Sequence, residues 1–267
     1  MIPNIQIFDK TISAYMIAAL IGVLVMLFSM KHIAKKSGMD ELDVQNCILI
    51  SFIGVVLGGH IFSGIGKIYT LIIEKPPIHI DSFQDFVSVS TYVFGGSVFY
   101  GGLIGAIITC GIYIKIKKWN PKPYMDIGAM AIPLFHCFGR IGCFFSGCCY
   151  GIESDFGFVY HHSMVEAANG VRRLPVQLFE AAFNLCLFFV IYKLFKAQKF
   201  KNKLLLIYLI SYSIARFILE FFRGDEYRGF IGSLSVSQFV SLVIITLTII
   251  SIPIIKKKNN FSLKNKA

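Results

Sequence analysis

The stretch FHCFGRIGCFFSGCCYG, residues 135–151, sets one arginine, four cysteines and four glycines in a segment otherwise as apolar as a membrane interior. A guanidinium keeps its charge at any accessible pH, and holding one at bilayer depth costs about 3 kcal/mol or more. On a helix, Gly139, Gly142, Cys143, Ser146 and Gly147 recur at i, i+3, i+4, i+7 and i+8. Such a stripe of small residues lets a second helix approach closely. Packing accounts for the stripe, but it does not require Arg140.

Outward from this stretch, the chain of 267 residues is 55% hydrophobic and 15% charged, with a mean hydropathy of +0.68. A soluble domain carries about 25% charge. The composition therefore predicts an all-α polytopic membrane protein, organised as a single integral membrane domain over residues 1–267. The net charge of +11 is not gathered on one soluble face with aromatics between the cations, so no nucleic-acid partner is expected. The first apolar run, about residues 12–30, is too long for a signal-peptide core and is followed by lysines, so it is expected to remain as a spanning helix.

A helix crossing the bilayer needs about 20 mostly apolar residues. Seven stretches qualify, near residues 12–31, 46–73, 93–114, 124–149, 175–195, 203–222 and 233–255. Lysines follow the first, third, fifth and seventh, at 31, 35 and 36, at 115, 117, 118 and 122, from 193 to 203, and from 256 onward. Because Lys and Arg in short loops stay cytoplasmic, this places the N-terminus outside and the C-terminus in the cytoplasm. The six arginines, 140, 172, 173, 216, 223 and 228, fall instead within spans or on loops assigned to the outer side. An anionic ligand explains them where orientation does not, and guanidinium groups at membrane depth suit a phospholipid phosphate.

Other segments carry further candidates. In ARFILEFFRG, Arg216, Glu220 and Arg223 share a helix face at i, i+4 and i+7, with Glu220 placed to orient Arg216. In RRLPVQLFEA, Gln177 and Glu180 lie one turn apart behind Pro175, where a capping role and a substrate role are both open. In SVFYGGLIGA, Gly101-x-x-x-Gly105 signals close packing, and Tyr100 is either an interfacial aromatic or a hydrogen-bonding group beside a cavity. Cys143, Cys148 and Cys149 are spaced C-x4-C-C, which matches no common zinc pattern, so neither a metal nor another cofactor is expected. A disulfide involving Cys148 or Cys149 is left open.

These segments together resemble the bacterial prolipoprotein diacylglyceryl transferases. GRIGCFFSGCCYG is similar to that family's signature, usually G-R-x-G-N-F-x-N-G-E-x-[WY]-G. LGGHIF, YGGLIGA, MDIGAMAIP, RRLPVQLFEA, RFILEFFR and LSVSQ follow in family order over essentially the whole chain. The resemblance implies seven helices, an external N-terminus and a place in the bacterial cytoplasmic membrane. It also implies transfer of the diacylglyceryl group of phosphatidylglycerol to the lipobox cysteine of a prolipoprotein signal peptide. Arg140 and Arg216 match the family's essential arginines, with Glu220 and Arg223 beside them. Tyr100 stands where the family has the histidine of H-G-G-L, and Gly101 and Gly102, which follow it, would allow close lipid approach. Cys143 and Ser146 replace the signature asparagines, Cys148 its glutamate, and His60 the arginine of G-G-R-x-G. The arginines are kept while the polar positioning groups are exchanged. Transfer to a different acceptor, a lipid-binding or transport role without chemistry, and a thiol-redox role for Cys148 and Cys149 are the alternatives.

Overall fold

Helices dominate because long apolar runs in lipid must satisfy every backbone hydrogen bond internally. The computed structural model describes residues 4–7, 10–74, 81–95, 99–163, 165–225 and 229–264. A hairpin of β1 (Asn4–Ile7) and β2 (Lys10–Ser13) leads into α1 (Ala14–Lys36). There follow α2 (Glu41–Glu74), α3 (Phe83–Phe94), α4 (Phe99–Ile116) and α5 (Pro121–Ser146). Strands β3 (Glu153–Val159) and β4 (Arg172–Arg173) pair antiparallel before α6 (Val176–Lys196) and α7 (Leu204–Leu219). The two-residue strands β5 (Phe230–Ile231) and β6 (Leu234–Ser235) introduce α8 (Val236–Lys264).

Among the described residues, six helical segments are long and apolar enough to cross a membrane, and residues Gly101–Ile116 of α4 form a shorter apolar helix. That shorter helix occupies the stretch where the sequence predicts a third span. Side chains such as Leu20, Phe28, Ile53, Ile107 and Phe189 are at least half exposed, as lipid-facing residues should be. The protein is an all-α, multi-pass membrane protein. The short helix α3, not anticipated from the hydropathy, is opened by a capping box in which Ser82 and Asp85 satisfy each other's backbone N–H groups. The Ser82 hydroxyl, bonded to the Asp85 carboxylate, holds that carboxyl below its ordinary range.

The chain forms two compact units, one of residues Met30–Pro121 and one of Met1–Ser29 with Lys122–Ala267. In the first, α2 and α4 meet along glycines. A Cβ on Gly58 would lie 2.2 Å from the Gly101 carbonyl oxygen, and one on Gly105 would lie 2.0 Å from that of Gly54. The Thr109 hydroxyl donates across the same seam to the Ile50 carbonyl at 3.0 Å. Gly101 and Gly102 are thus buried against α2. His60 Nδ1 lies 2.7 Å from the Phe94 carbonyl oxygen.

In the second unit, buried Asp126 of α5 caps α7 from a distance, accepting from the N–H groups of Asn202 at 2.6 Å and Leu204 at 3.0 Å. The start of α8 is closed by a capping box, Ser235 N–H to Gln238 Oε1 and Gln238 N–H to Ser235 Oγ. That box explains the LSVSQ segment. The expected fourth span, 124–149, overshoots, because α5 stops at Ser146 in a Schellman motif. Gly147 is left-handed at φ 72°, and the Cys148 N–H returns to the Cys143 carbonyl at 3.2 Å.

Candidate active site

Three helices of the second unit each supply a column of polar side chains. On α5, His136, Arg140 and Cys143 recur at i, i+4 and i+7. On α6, Gln177, Glu180 and Asn184 do so at i, i+3 and i+7. On α7, Tyr208, Tyr212 and Arg216 lie at i, i+4 and i+8, and the helical turn Glu220–Phe222 adds Glu220. This periodicity turns every named group of one helix toward the same side.

Glu180, only 1% exposed, is the centre. Arg140 Nε lies 3.0 Å from one carboxylate oxygen, and Arg216 Nη1 lies 3.4 Å from the same oxygen. The other oxygen accepts from the Tyr212 hydroxyl at 2.8 Å and lies 3.7 Å from His136 Nε2. Tyr212 in turn stacks on Tyr208, with ring centroids 5.8 Å apart. The two guanidinium charges beside this carboxylate offset its loss of water.

Arg216 is held by three side chains. Its Nη2 is 2.8 Å from Glu220 Oε2 and donates to Ser237 of α8 at 3.0 Å, in addition to the contact with Glu180. The expected pairing of Glu220 with Arg216 is therefore present. Arg223 donates to Asp225 through both Nε, at 2.7 Å, and Nη2, and its Nη1 lies 3.9 Å from Glu220. Burial pulls the Arg223 guanidinium down, but the Asp225 and Glu220 carboxylates leave it above its ordinary range. Arg140 differs from both in its partners, since Glu180, approached most closely by Nε, is its one carboxylate partner among the described residues.

The cysteine turn adjoins this cluster. The Gln177 side-chain amide donates to the Cys148 carbonyl at 2.8 Å and to the Tyr160 hydroxyl at 3.1 Å, so it braces the turn. Ser163 Oγ donates to the Gly147 carbonyl at 3.0 Å, and the N–H groups of Gly151 and Gly224 bond to Leu174 and Tyr150 carbonyls. Hydrogen bonds from Cys143 and Cys148, with the Arg140 and Arg223 charges, hold the Cys149 thiol below its ordinary range. Hydrogen bonds with Cys143 and Cys149, together with burial, hold Cys148 above it. Arg173 stacks on Tyr150, 4.4 Å from the ring centroid, and bonds to the Ala167 carbonyl at 2.7 Å. It belongs to the small β3–β4 sheet, as does exposed Arg172.

Among the residues singled out from the sequence, Arg140, Cys143, Gln177, Glu180, Arg216, Glu220 and Arg223 are thus gathered in one unit, with Ser146 buried at the end of α5. Tyr100, Gly101 and Gly102 belong to α4 in the other unit. The side chain of Tyr100 and all of Arg228 lie outside the described residues. The sequence reading missed His136, Tyr212, Ser237 and Asp225. His136 and Tyr212 could have been found as the residues one turn before Arg140 and Arg216.

A family model of the prolipoprotein diacylglyceryl transferases matches residues 4–254. The chain belongs to this family. Its similarity to individual members is spread along the whole length. The phosphatidylglycerol–prolipoprotein diacylglyceryl transferase of Clostridium tetani is 32% identical over 247 residues, covering 91% of this chain and 93% of the relative. The second such enzyme of Clostridium perfringens is 31% identical, covering 90% of each. That of Campylobacter jejuni is 30% identical over 264 residues, covering 96% of this chain and 94% of the relative. Within this diacylglyceryl transferase, the Arg140–Glu180–Arg216–Glu220 cluster is the candidate active site.

Proposed function

We propose that the chain transfers the diacylglyceryl group of phosphatidylglycerol to the lipobox cysteine of a prolipoprotein, at the outer face of a bacterial cytoplasmic membrane. In this reading the N-terminus is external and the C-terminus cytoplasmic. The substrate sulfur attacks the glyceryl carbon that bears the phosphate, the carbon–oxygen bond breaks, and its electron pair leaves on glycerol 1-phosphate. The thiol proton goes to a base, and Tyr100, which stands at the family's histidine position, is assigned either to that proton removal or to headgroup binding. Phosphodiester monoanion becomes phosphomonoester dianion, so catalysis needs cationic donors where that charge develops.

The single observation carrying this reading is the asymmetry between the two cluster arginines. Arg216 contacts Glu180, Glu220 and Ser237, whereas Arg140 has Glu180 as its one carboxylate partner among the described residues. With a single carboxylate partner, Arg140 is the arginine assigned to bind the phosphate. Arg216 adds positive potential while locking Glu180 and Glu220 in place. Cys143, Ser146 and Cys148 stand in place of the signature asparagines and glutamate, while both arginines are kept.

The test is purified protein with labelled phosphatidylglycerol and a lipobox peptide, following the peptide's mass for thioether formation. Wild type should modify the peptide, and folded Arg140→Ala should lose about 100-fold or more, the scale of removing one transition-state donor. Lipid binding by wild type with the peptide left unmodified would overturn the reading.

A further inference from the structure

Cys143, Cys148 and Cys149 are far less scattered in space than their spacing suggests. Their three sulfur atoms all lie within 4.8 Å of one another. Two backbone features produce this. The Schellman closure at Gly147 brings Cys148 back over the last turn of α5, where its thiol sits 3.7 Å from the Cys143 carbonyl oxygen. Cys149 then takes a left-handed conformation, φ 56°. For a non-glycine residue that conformation costs on the order of 1 kcal/mol, and here it directs the third sulfur toward the other two.

The turn is braced from outside as well. Gln177 holds the Cys148 carbonyl, Ser163 the Gly147 carbonyl, and Gly151 pairs with Arg223 across a β-bridge. A ligand set carried on backbone this constrained is preorganised, which is the usual requirement for a metal site.

From this geometry we infer that Cys143, Cys148 and Cys149 form a three-thiolate site for one soft divalent cation of the zinc class. Zinc–sulfur bonds of about 2.3 Å place three coordinated sulfurs roughly 3.8 to 4.0 Å apart, a contraction of under about 1 Å from the sulfur separations here. Thiolates select soft cations over magnesium or calcium. Three thiolates and one dication carry a net charge of −1. Tetrahedral coordination leaves a fourth position for water or another ligand. None of this depends on the proposed transfer reaction.

The probe is cadmium, a spectroscopic stand-in for zinc, added to reduced, detergent-solubilised full-length protein under anaerobic conditions with neither lipid nor peptide present. After gel filtration, wild type should retain one cadmium per chain and show a thiolate-to-metal charge-transfer band. Cys148→Ser and Cys149→Ser should each weaken retention by more than about 100-fold, beyond the loss of a merely supporting contact. Cys186→Ser, altering an exposed thiol on α6, should bind as wild type does. X-ray absorption of the zinc-loaded wild type should report three sulfur neighbours near 2.3 Å, a readout needing no variant to fold. Failure of folded wild type to retain metal overturns the inference. So does retention that survives both substitutions, or a disulfide among the three cysteines accompanied by no retained metal. Each of these leaves the lipid-transfer assay free to succeed or fail separately.

Discussion

Two regions of this protein solve the same problem, packing helices in lipid, by opposite means. Where α2 meets α4, glycines at 54, 58, 101 and 105 strip the interface down to backbone, and one hydroxyl bond crosses it. Where α5, α6 and α7 meet, the interface is filled with Arg140, Glu180, Tyr212 and Arg216. The glycine seam gains close van der Waals contact and needs no charge. The charged cluster costs desolvation that an apolar set of similar volume would avoid. A fold needing only adhesion would use the first solution throughout, and the second is where the candidate active site lies.

The largest effect should come from removing the centre of the cluster. Glu180→Gln keeps the shape but leaves Arg140 without its carboxylate partner and Arg216 with Glu220 alone. Breaking a buried ion pair from one side costs about 3–5 kcal/mol. Thermal unfolding in detergent should show that loss, and lipid transfer should fall further than the unfolded fraction explains, because Arg140 is no longer oriented. Unchanged stability would mean that the cluster is hydrated and that the contrast with the glycine seam is weaker than drawn.

The seam should respond to size instead of charge. On Gly105 a Cβ meets the Gly54 carbonyl oxygen at 2.0 Å, so Gly105→Ala forces the two backbones apart. Overpacking of this kind costs about 1–3 kcal/mol. The melting temperature should drop, while transfer per folded molecule keeps the wild-type KM for phosphatidylglycerol. A KM that rose with the fall in stability would join the seam functionally to the cluster and erase the distinction.

The two regions were also unequally legible. Gly101-x-x-x-Gly105 declares its seam because the seam uses one residue type at one helical spacing on each helix. Arg140, Arg216 and Glu220 declared themselves through the cost of charge in apolar runs. Glu180 was legible only as half of an ambiguous pair with Gln177, since a carboxylate near a helix start serves capping equally well. Its neighbours from three helices are what separate the two roles. Asp126 escaped notice because its partners, Asn202 and Leu204, lie 76 and 78 residues away. The convergence of the cysteine trio was hidden in its spacing for a different reason. It depends on two left-handed residues, Gly147 and Cys149, and a spacing pattern does not encode φ.

The smallest effect concerns the brace behind that trio and carries a pH signature. Tyr160 is 2% exposed, and burial, opposed by the Gln177 hydrogen bond, pushes its phenol from 10.0 up to about 12. The folded protein therefore prefers the protonated form more than the unfolded chain does. That preference stabilises fully below pH 10 and is lost as pH rises through about 12. Tyr160→Phe removes the hydroxyl that Gln177 reaches at 3.1 Å while leaving the amide its bond to Cys148. The expected cost at pH 8 is about 1 kcal/mol, that of one modest hydrogen bond. The stability difference between wild type and variant, measured by denaturant titration from pH 8 to 12, should shrink and then reverse sign as pH climbs from 10 toward 12, and other tyrosines cancel in the subtraction. If the difference stays flat across that window, the Tyr160 hydroxyl reaches water, and the brace on the cysteine turn rests on the Gln177–Cys148 bond alone.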